Sequence, residues 1–288
     1  MKCLICQSDM TGPYQNYWFE CRQCGFLAST LKPTIGGQDR SSPVDENLRR
    51  MALDQLRHQN FERVLNRIQQ SWSGHQGHLL DVGCAHGWFL EAAGRRGYIA
   101  TGIEPDPVIA DQTRLSGQKV MTGFFPEDLP PQETFDIITF LDVFEHLCAP
   151  NEAAAACFQR LTPGGLLVLV VPNCKGILFR LARLFSRLGW QSPLDRLWQR
   201  GFPSPHLSYF HPAILAELLR LHGFTEIQRS NLPSFSRQGL WHRLRYDRRS
   251  SIFLSALQLF LLTILSPTQS LFTSDISLQV FSRGNSQS

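Results

Sequence analysis

The sequence predicts an α/β fold, with strands and helices alternating through the centre of the chain, and a small metal-stabilised module at its N-terminus. Three observations predict it. The apolar run Leu79–Val82 passes through Asp81 into a turn, Gly83-Cys84-Ala85-His86-Gly87, and a helical pattern opens at Trp88-Phe89-Leu90. A second apolar run, Tyr98–Ile103, ends in Glu104, about 20 residues after the turn, the spacing at which a βαβ unit sets an acid against a ribose. Far upstream, Cys3-Leu4-Ile5-Cys6 and Cys21-Arg22-Gln23-Cys24 form two C-x-x-C pairs.

From the N-terminus, each pair fits a knuckle turn, and two knuckles bring four thiolates to a tetrahedron around Zn²⁺. The intervening stretch suits a β-hairpin, with Tyr14, Tyr17, Trp18 and Phe19 near its return strand. Residues 1–30 therefore read as a zinc ribbon whose structural metal is held by Cys3, Cys6, Cys21 and Cys24, because about thirty residues bury too little to fold alone. Leu31–Pro43 is a linker rich in Pro, Gly, Ser and Thr. Over Val44–Gln70 apolar residues recur at helical spacing, so 31–75 reads as linker and N-terminal helices.

The remainder, 76–288, reads as one catalytic domain. Strands are expected near His78–Val82, Tyr98–Ile103, Lys119–Thr122, Phe135–Phe140 and Leu166–Val171. Helices between them are expected at Trp88–Arg96, Pro107–Ser116 and Glu152–Leu161. Pro163-Gly164-Gly165 reads as the turn into the fifth strand. A helix at Pro212–His222 and strands at Thr225–Ser230 and Ser277–Ser282 complete a seven-stranded sheet. Helical insertions fall near 175–200 and 236–266.

The turn after the first strand lacks the three glycines that seat a pyrophosphate. It also carries Asp81, which repels phosphate and suits a ligand with an ammonium group. S-adenosyl-L-methionine has an ammonium, a sulfonium and a ribose, and no phosphate. At these residues the chain resembles the class I S-adenosylmethionine-dependent methyltransferases, whose first motif reads roughly D-x-G-C-G-x-G. Ala85 stands where Gly is usual, which a negative φ would accommodate. FDIITFLDVFEHL (Phe135–Leu147), LTPGGLLVLVVPN (Leu161–Asn173) and HLSYFHPAILAELLRLHGF (His206–Phe224) continue the resemblance. The last is similar to the branch of ubiquinone-biosynthesis O-methyltransferases.

The resemblance implies a Rossmann-like, mostly parallel sheet with helices on both faces and an antiparallel last strand. It implies that the N-terminal helix covers the methionine end of the cofactor. Asp81 would accept from the ammonium, Gly83, Cys84 and Gly87 would let the backbone approach, and Glu104 would accept both ribose hydroxyls. Leu141 would touch the cofactor. Glu127 or Asp128 would hold the adenine amino group, with Phe124 or Phe125 stacking on the ring or packing in the core. In the O-methyltransferase branch a carboxylate, a second acid three residues on and the following His imply a divalent cation, here at Asp142, Glu145 and His146. His146 is alternatively the base that deprotonates the acceptor, or a structural cap together with Glu145. His206 and His211 flank Tyr209 and Phe210, either shaping an acceptor pocket or packing as a turn.

Composition narrows the class further. The chain of 288 residues is 43% hydrophobic and carries a net charge of +4. No apolar run reaches the ~20 residues of a membrane span. Eight Cys behind a polar N-terminus read as cytoplasmic thiols and metal ligands. Lys175–Arg200 and Arg229–Arg249 each hold six cationic residues against one Asp. Arg180, Arg183 and Arg187 are expected on one helical face, opposite Ile177, Leu181, Leu184, Phe185 and Leu188. The second stretch runs into the uncharged Ile252–Leu265. Either these insertions contact an anionic membrane at its inner face, or they cap the active site. The function expected is methyl transfer, O-methylation first, to a small-molecule or lipid- or sugar-linked acceptor. An RNA methyltransferase and a non-catalytic cofactor-binding module are the alternatives. No N-P-P-[YF] follows the fourth strand, which argues against nucleic acid. The acceptor and the oligomeric state are not legible in the sequence.

Overall fold

The computed structural model describes residues 1–34, 46–74, 76–234 and 273–284, with a few isolated positions between 252 and 263. The second insertion, and with it nearly all of the 252–265 run, falls outside the described residues.

The ribbon comes first: β1 (Thr11–Tyr14), β2 (Trp18–Glu20) and β3 (Leu27–Ser29) form an antiparallel meander. A single helix, α1 (Glu46–Ser71), follows. The central elements alternate as predicted: β4 (His78–Val82), α2 (Trp88–Arg95), β5 (Ile99–Glu104), α3 (Pro107–Leu115), β6 (Val120–Thr122), β7 (Phe135–Leu141), α4 (Pro150–Arg160) and β8 (Leu161–Pro172). The first insertion folds as α5 (Ile177–Arg187) and α6 (Ser192–Leu197). Then come β9 (Ser208–Tyr209), α7 (Pro212–Arg220), β10 (Phe224–Leu232) and β11 (Ile276–Arg283).

The seven-stranded sheet runs β10-β11-β8-β7-β4-β5-β6, with β11 antiparallel to both its neighbours and the other pairs parallel. Leu166–Val171 is buried along its whole length, as a central strand covered on both faces must be. The strand order reverses at β4 and β7. A crevice therefore opens beyond their carboxyl ends, where ligands bind in open α/β sheets.

Local chemistry explains the element boundaries. Asp106 caps α3 by accepting from the amides of Val108 (2.9 Å) and Ile109 (3.2 Å), with Pro107 at the first helical position. Helix α4 starts at Pro150 rather than Glu152, with Pro at its first helical position and no side-chain cap. Pro163-Gly164-Gly165 is not a separate turn. It is an irregularity inside β8, between the Phe135–Leu161 and Ile137–Leu166 pairs. Val64, Leu65 and Ile68 of α1 pack on Leu79, Ile137, Val168 and Leu278 of one sheet face.

The ribbon is not a separate body. Its β3 pairs with β9 from the catalytic domain, giving a four-stranded sheet across the two. Cys3, Ile5, Cys21 and Phe26 belong to the same apolar cluster as Leu169, Phe210 and Leu215.

The predicted faces of α5 need correction. Phe179 and Ala182 are the buried positions, packed with Trp198 and Tyr209. Leu184, Phe185 and Leu188, the row expected opposite the arginines and left open between a membrane and the core, are exposed. Arg183, expected on the solvated basic face, donates two hydrogen bonds to Glu20 at 3.1 and 2.9 Å and lies over Trp18.

Candidate active site

The turn between β4 and α2 is held from below by β5. The amides of Gly83 and Cys84 donate to the Ile103 carbonyl at 2.8 and 3.3 Å. Glu104 accepts from the Ala85 amide through Oε2 (3.0 Å) and from the Asp106 amide through Oε1 (3.0 Å). Each oxygen keeps a second lone pair. Glu104 is buried, and burial pushes its carboxyl above the usual range.

Ala85 lies at φ 45, not at the negative φ expected. Its amide is held by Glu104 and its carbonyl accepts from Thr113 Oγ1 at 2.8 Å. Those bonds offset the ~1–2 kcal/mol that a left-handed Cβ costs. Gly83 and Gly87 are both left-handed. A Cβ on Gly83 would meet Val143 at 2.7 Å, and one on Gly87 would meet Thr113 at 2.5 Å. Cys84 is buried with its thiol against Gly102, packed with Leu90, Ala110 and Val120.

Asp81 sits near the carboxyl end of β4, 3% exposed, accepting from Thr139 Oγ1 at 2.7 Å. Burial pushes its carboxyl up to about 7, with the nearby Glu104 adding to the rise. Leu141 ends β7 and is half-buried. After β6, Asp128 is exposed and accepts from the Phe124 amide at 2.7 Å, closing its own turn. Of the two aromatic candidates, Phe124 is exposed, whereas Phe125 is buried edge-on against Phe140.

Beyond β7 the chain makes a short 3-10 turn, Phe144–His146. Asp142 is left-handed (φ 59) and exposed. Glu145 is 1% exposed, and its Oε2 has no hydrogen-bond partner. Its Oε1 lies 3.9 Å from Nε2 of His146 and 3.9 Å from Nε2 of His206. These three side chains form a compact donor set, and Asp142 is not part of it. Asp142 is still near enough to help burial raise the Glu145 carboxyl.

The tautomers follow from the partners. His146 Nδ1 lies 2.8 Å from the Pro205 carbonyl, which only accepts, so the proton is on Nδ1 and Nε2 is the basic nitrogen. Tyr209 Oη donates to the Leu197 carbonyl (2.8 Å) and therefore accepts from His206 Nδ1 (3.0 Å). His206 Nε2 accepts from Gln199 (2.9 Å). His206 is buried, and burial holds it well below the usual histidine range, so it is neutral. His211 points away from the cluster toward the ribbon, 3.3 Å from the Cys24 carbonyl. The meeting of His206 with Glu145 leaves no signal in either local sequence. Only the fold brings the 206 segment onto the turn after β7.

In the ribbon, Cys3 Sγ and Cys24 Sγ are 3.6 Å apart, and Cys6 Sγ and Cys21 Sγ are 3.4 Å apart. All four thiols converge.

A Rossmann-like sheet with its crevice at the β4–β7 reversal, a buried acid near the end of β4 and a second acid ending β5 are features that nucleoside-binding α/β enzymes present. The model of the family described as "Methyltransferase domain" matches residues 52–229, and the chain belongs to that family. It is a class I S-adenosylmethionine-dependent methyltransferase. A ubiquinone biosynthesis O-methyltransferase of Xanthomonas oryzae pv. oryzae is 29% identical over 181 residues, covering 60% of this chain and 72% of that protein. The same fold is found in a SAM-dependent methyltransferase from Archaeoglobus fulgidus (TM-score 0.51, 17% identity, 80% of this chain and 97% of that one). It recurs in an S-adenosylmethionine-dependent methyltransferase from Mesorhizobium loti (TM-score 0.52, 13% identity, 76% and 96%).

Proposed function

We propose that this methyltransferase acts on an oxygen of a small or lipid-linked acceptor, with His146 as the base. The observation that carries the reading is the tethered imidazole. Its Nδ1 proton is committed to the Pro205 carbonyl, so Nε2 is the proton acceptor at the turn after β7. S-adenosylmethionine supplies an electrophilic methyl group, and transfer to a hydroxyl requires that the hydroxyl lose its proton.

The cofactor-side residues suit that ligand. Both oxygens of Glu104 retain capacity for ribose hydroxyls. Asp81 is a buried carboxylate raised to about 7, the state that a cationic ammonium would reverse. Phe124 rather than Phe125 is the ring available to adenine, and Asp128 is a turn acid first. Glu145, whose Oε1 lies 3.9 Å from His146 Nε2, is the acid beside the proton that His146 takes up. A divalent cation at this place would take Glu145, His146 and His206 as its ligands, in place of the Asp142, Glu145 and His146 set that the resemblance implies.

In the ribbon we assign Zn²⁺ to Cys3, Cys6, Cys21 and Cys24. Tetrahedral Zn–S bonds of about 2.3 Å place sulfurs roughly 3.8 Å apart, close to the spacing found. Burial pushes the Cys3 and Cys24 thiols up, so a cation is what would ionise the set together.

Peripheral contact with an anionic membrane fits the exposed apolar tip of the first insertion. Leu184, Phe185, Leu188 (75% exposed) and Trp190 stand out beside exposed Arg180 and Arg187. No helix among the described residues is long and apolar enough to cross a membrane.

The test is direct. Purified protein, S-adenosylmethionine and a cell extract should yield metabolites or lipids heavier by one methylene, identified by mass spectrometry. His146→Gln should lower turnover by about 10²–10⁴-fold with cofactor affinity unchanged. A His146→Gln variant as fast as the parent would remove the base from the reading.

A further inference from the structure

We infer that the four-cysteine ribbon is a positioning device for the acceptor side of this same chain, holding His206 and the Glu145 turn in place, rather than a surface for an outside partner. The word "acceptor" rests on the proposed function above. The coupling itself rests on the following contacts.

Residues 204–211 have almost no regular structure of their own, only the two residues of β9. Their register comes from both flanks. The Ser29 amide donates to the Leu207 carbonyl at 2.8 Å, and Ser29 Oγ donates to the His206 carbonyl at 2.9 Å. On the opposite flank the Leu207 amide donates to the Glu145 carbonyl at 2.8 Å. Leu207 is thus a backbone bridge from the ribbon to the turn after β7. Side chains reinforce it: Phe26 packs on Phe210 with ring centroids 5.3 Å apart, and Tyr17 Oη donates to Asp195 at 2.8 Å. The second knuckle itself touches the segment through the Cys24 carbonyl and His211.

The dependence is mutual. A module of about thirty residues has too little core to hold itself, and the largest ribbon side chains are buried against the catalytic domain. Tyr17 is 4% exposed, Trp18 5% and Phe26 0%. Those three rings are withdrawn from any stacking platform for a single-stranded nucleic acid, and Tyr14 and Phe19 stay half-buried. Arg183, the cation over Trp18, is engaged by Glu20, and Lys2 pairs with Asp9 at 3.0 Å. The ribbon spends its recognition chemistry inward.

Two measurements on the full chain test this. In the metal-loaded protein, Ser29→Ala should shift the His206 imidazole resonances and speed hydrogen exchange at the Leu207 amide about fivefold, the weight of one hydrogen bond. Ser29→Thr should restore both, and S-adenosylmethionine affinity should stay within twofold in each variant. Removing the metal with a chelator should then raise exchange in 17–29 and 204–211 together, while Leu79–Val82 stays protected. Unmoved His206 resonances in Ser29→Ala overturn the inference. So does full protection of 204–211 after the metal leaves, or structured RNA that slows exchange within residues 1–30. If chelation unfolds the whole chain, the Ser29 pair decides alone. If exchange couples as expected but no oxygen acceptor is ever methylated, the proposed acceptor chemistry fails and the positioning role stands.

Discussion

Around Gly83–Glu104, the hydrogen bonds that shape the turn close within one strand–helix–strand unit and the helix that follows it. Ala85 reaches Glu104, Glu104 reaches Asp106, and Gly83 reaches Ile103. Around Glu145 the bonds come from far away in the chain. His146 meets Pro205, Glu145 lies between two histidines sixty residues apart, and Ser29 reaches His206 across most of the protein. The first site is a local device that any chain with this βαβ unit carries. The second exists only after the ribbon, the first insertion and the 204–211 segment have packed on one another. Cofactor binding should therefore tolerate damage that the acceptor side does not.

The largest effect should come from breaking the ribbon. Cys21→Ser should remove about one equivalent of zinc by elemental analysis. It should lower the thermal midpoint by roughly 6–12 °C, as a loss of a few kcal/mol does in a domain of this size. S-adenosylmethionine binding by calorimetry should survive wherever the chain stays folded. A variant that retains its zinc and its midpoint would show that the metal is not held by the four-thiol set.

Next is Glu104→Ala, which would remove the two charge-assisted bonds proposed to the ribose. Affinity for S-adenosylmethionine should fall at least about tenfold. Because Glu104 also holds the Ala85 and Asp106 amides, Glu104→Gln should fall between the parent and the Ala variant. Unchanged affinity in the Ala variant would place the nucleotide elsewhere.

Asp81 gives a subtler reading of the same side. Its carboxyl is raised to about 7 in the folded chain, from an ordinary value near 3.8. Between those values the folded state holds more protons than the unfolded one, so this group's contribution to stability falls as pH rises through that window. A bound ammonium favours the carboxylate. Cofactor binding at pH 6 should expel a proton, and affinity should rise with pH up to about 7 and then level. Calorimetry in two buffers of different ionisation heat measures the proton directly, and Asp81→Asn should abolish it. Binding without proton release would mean that Asp81 does not face the ammonium.

The smallest effect should be at the exposed tip of the first insertion. Liposome co-sedimentation should rise with anionic lipid and fall with salt. Leu188→Asp with Trp190→Ser should weaken it several-fold. Replacing Arg183 should instead disturb the ribbon through Glu20. Indifference to anionic lipid would leave the insertion as a cap and point to a water-borne acceptor.

The sequence made the geometry of the β4–β5 unit legible because its chemistry is local. Turn residues, strand ends and an acid at a set distance are all written within about thirty positions. It misjudged Ala85, whose positive φ is held by Thr113 and Glu104 against the cost of its methyl group. It left α5 undecided, since helical spacing identified an amphipathic helix but not which side meets the protein. Phe179, Ala182 and Arg183 were claimed by Trp198, Tyr209 and Glu20, and the longer apolar row was left outside. The family resemblance grouped Asp142 with Glu145 and His146, whereas in the fold the compact donor set is Glu145, His146 and His206.

The sequence by itself determined the order of strands and helices, the antiparallel last strand through its family resemblance, the two cysteine knuckles and the acids of the first βαβ unit. These depend on residue types a few positions apart, where backbone geometry converts spacing directly into direction. Tertiary structure alone decided that the ribbon shares a sheet with Ser208–Tyr209, that His206 is neutral and joined to Glu145, and that Arg183 is a strut rather than a surface charge. Those outcomes depend on which distant segments compete for the same buried partners. That competition is settled by packing and desolvation across the whole fold, and no local pattern records it.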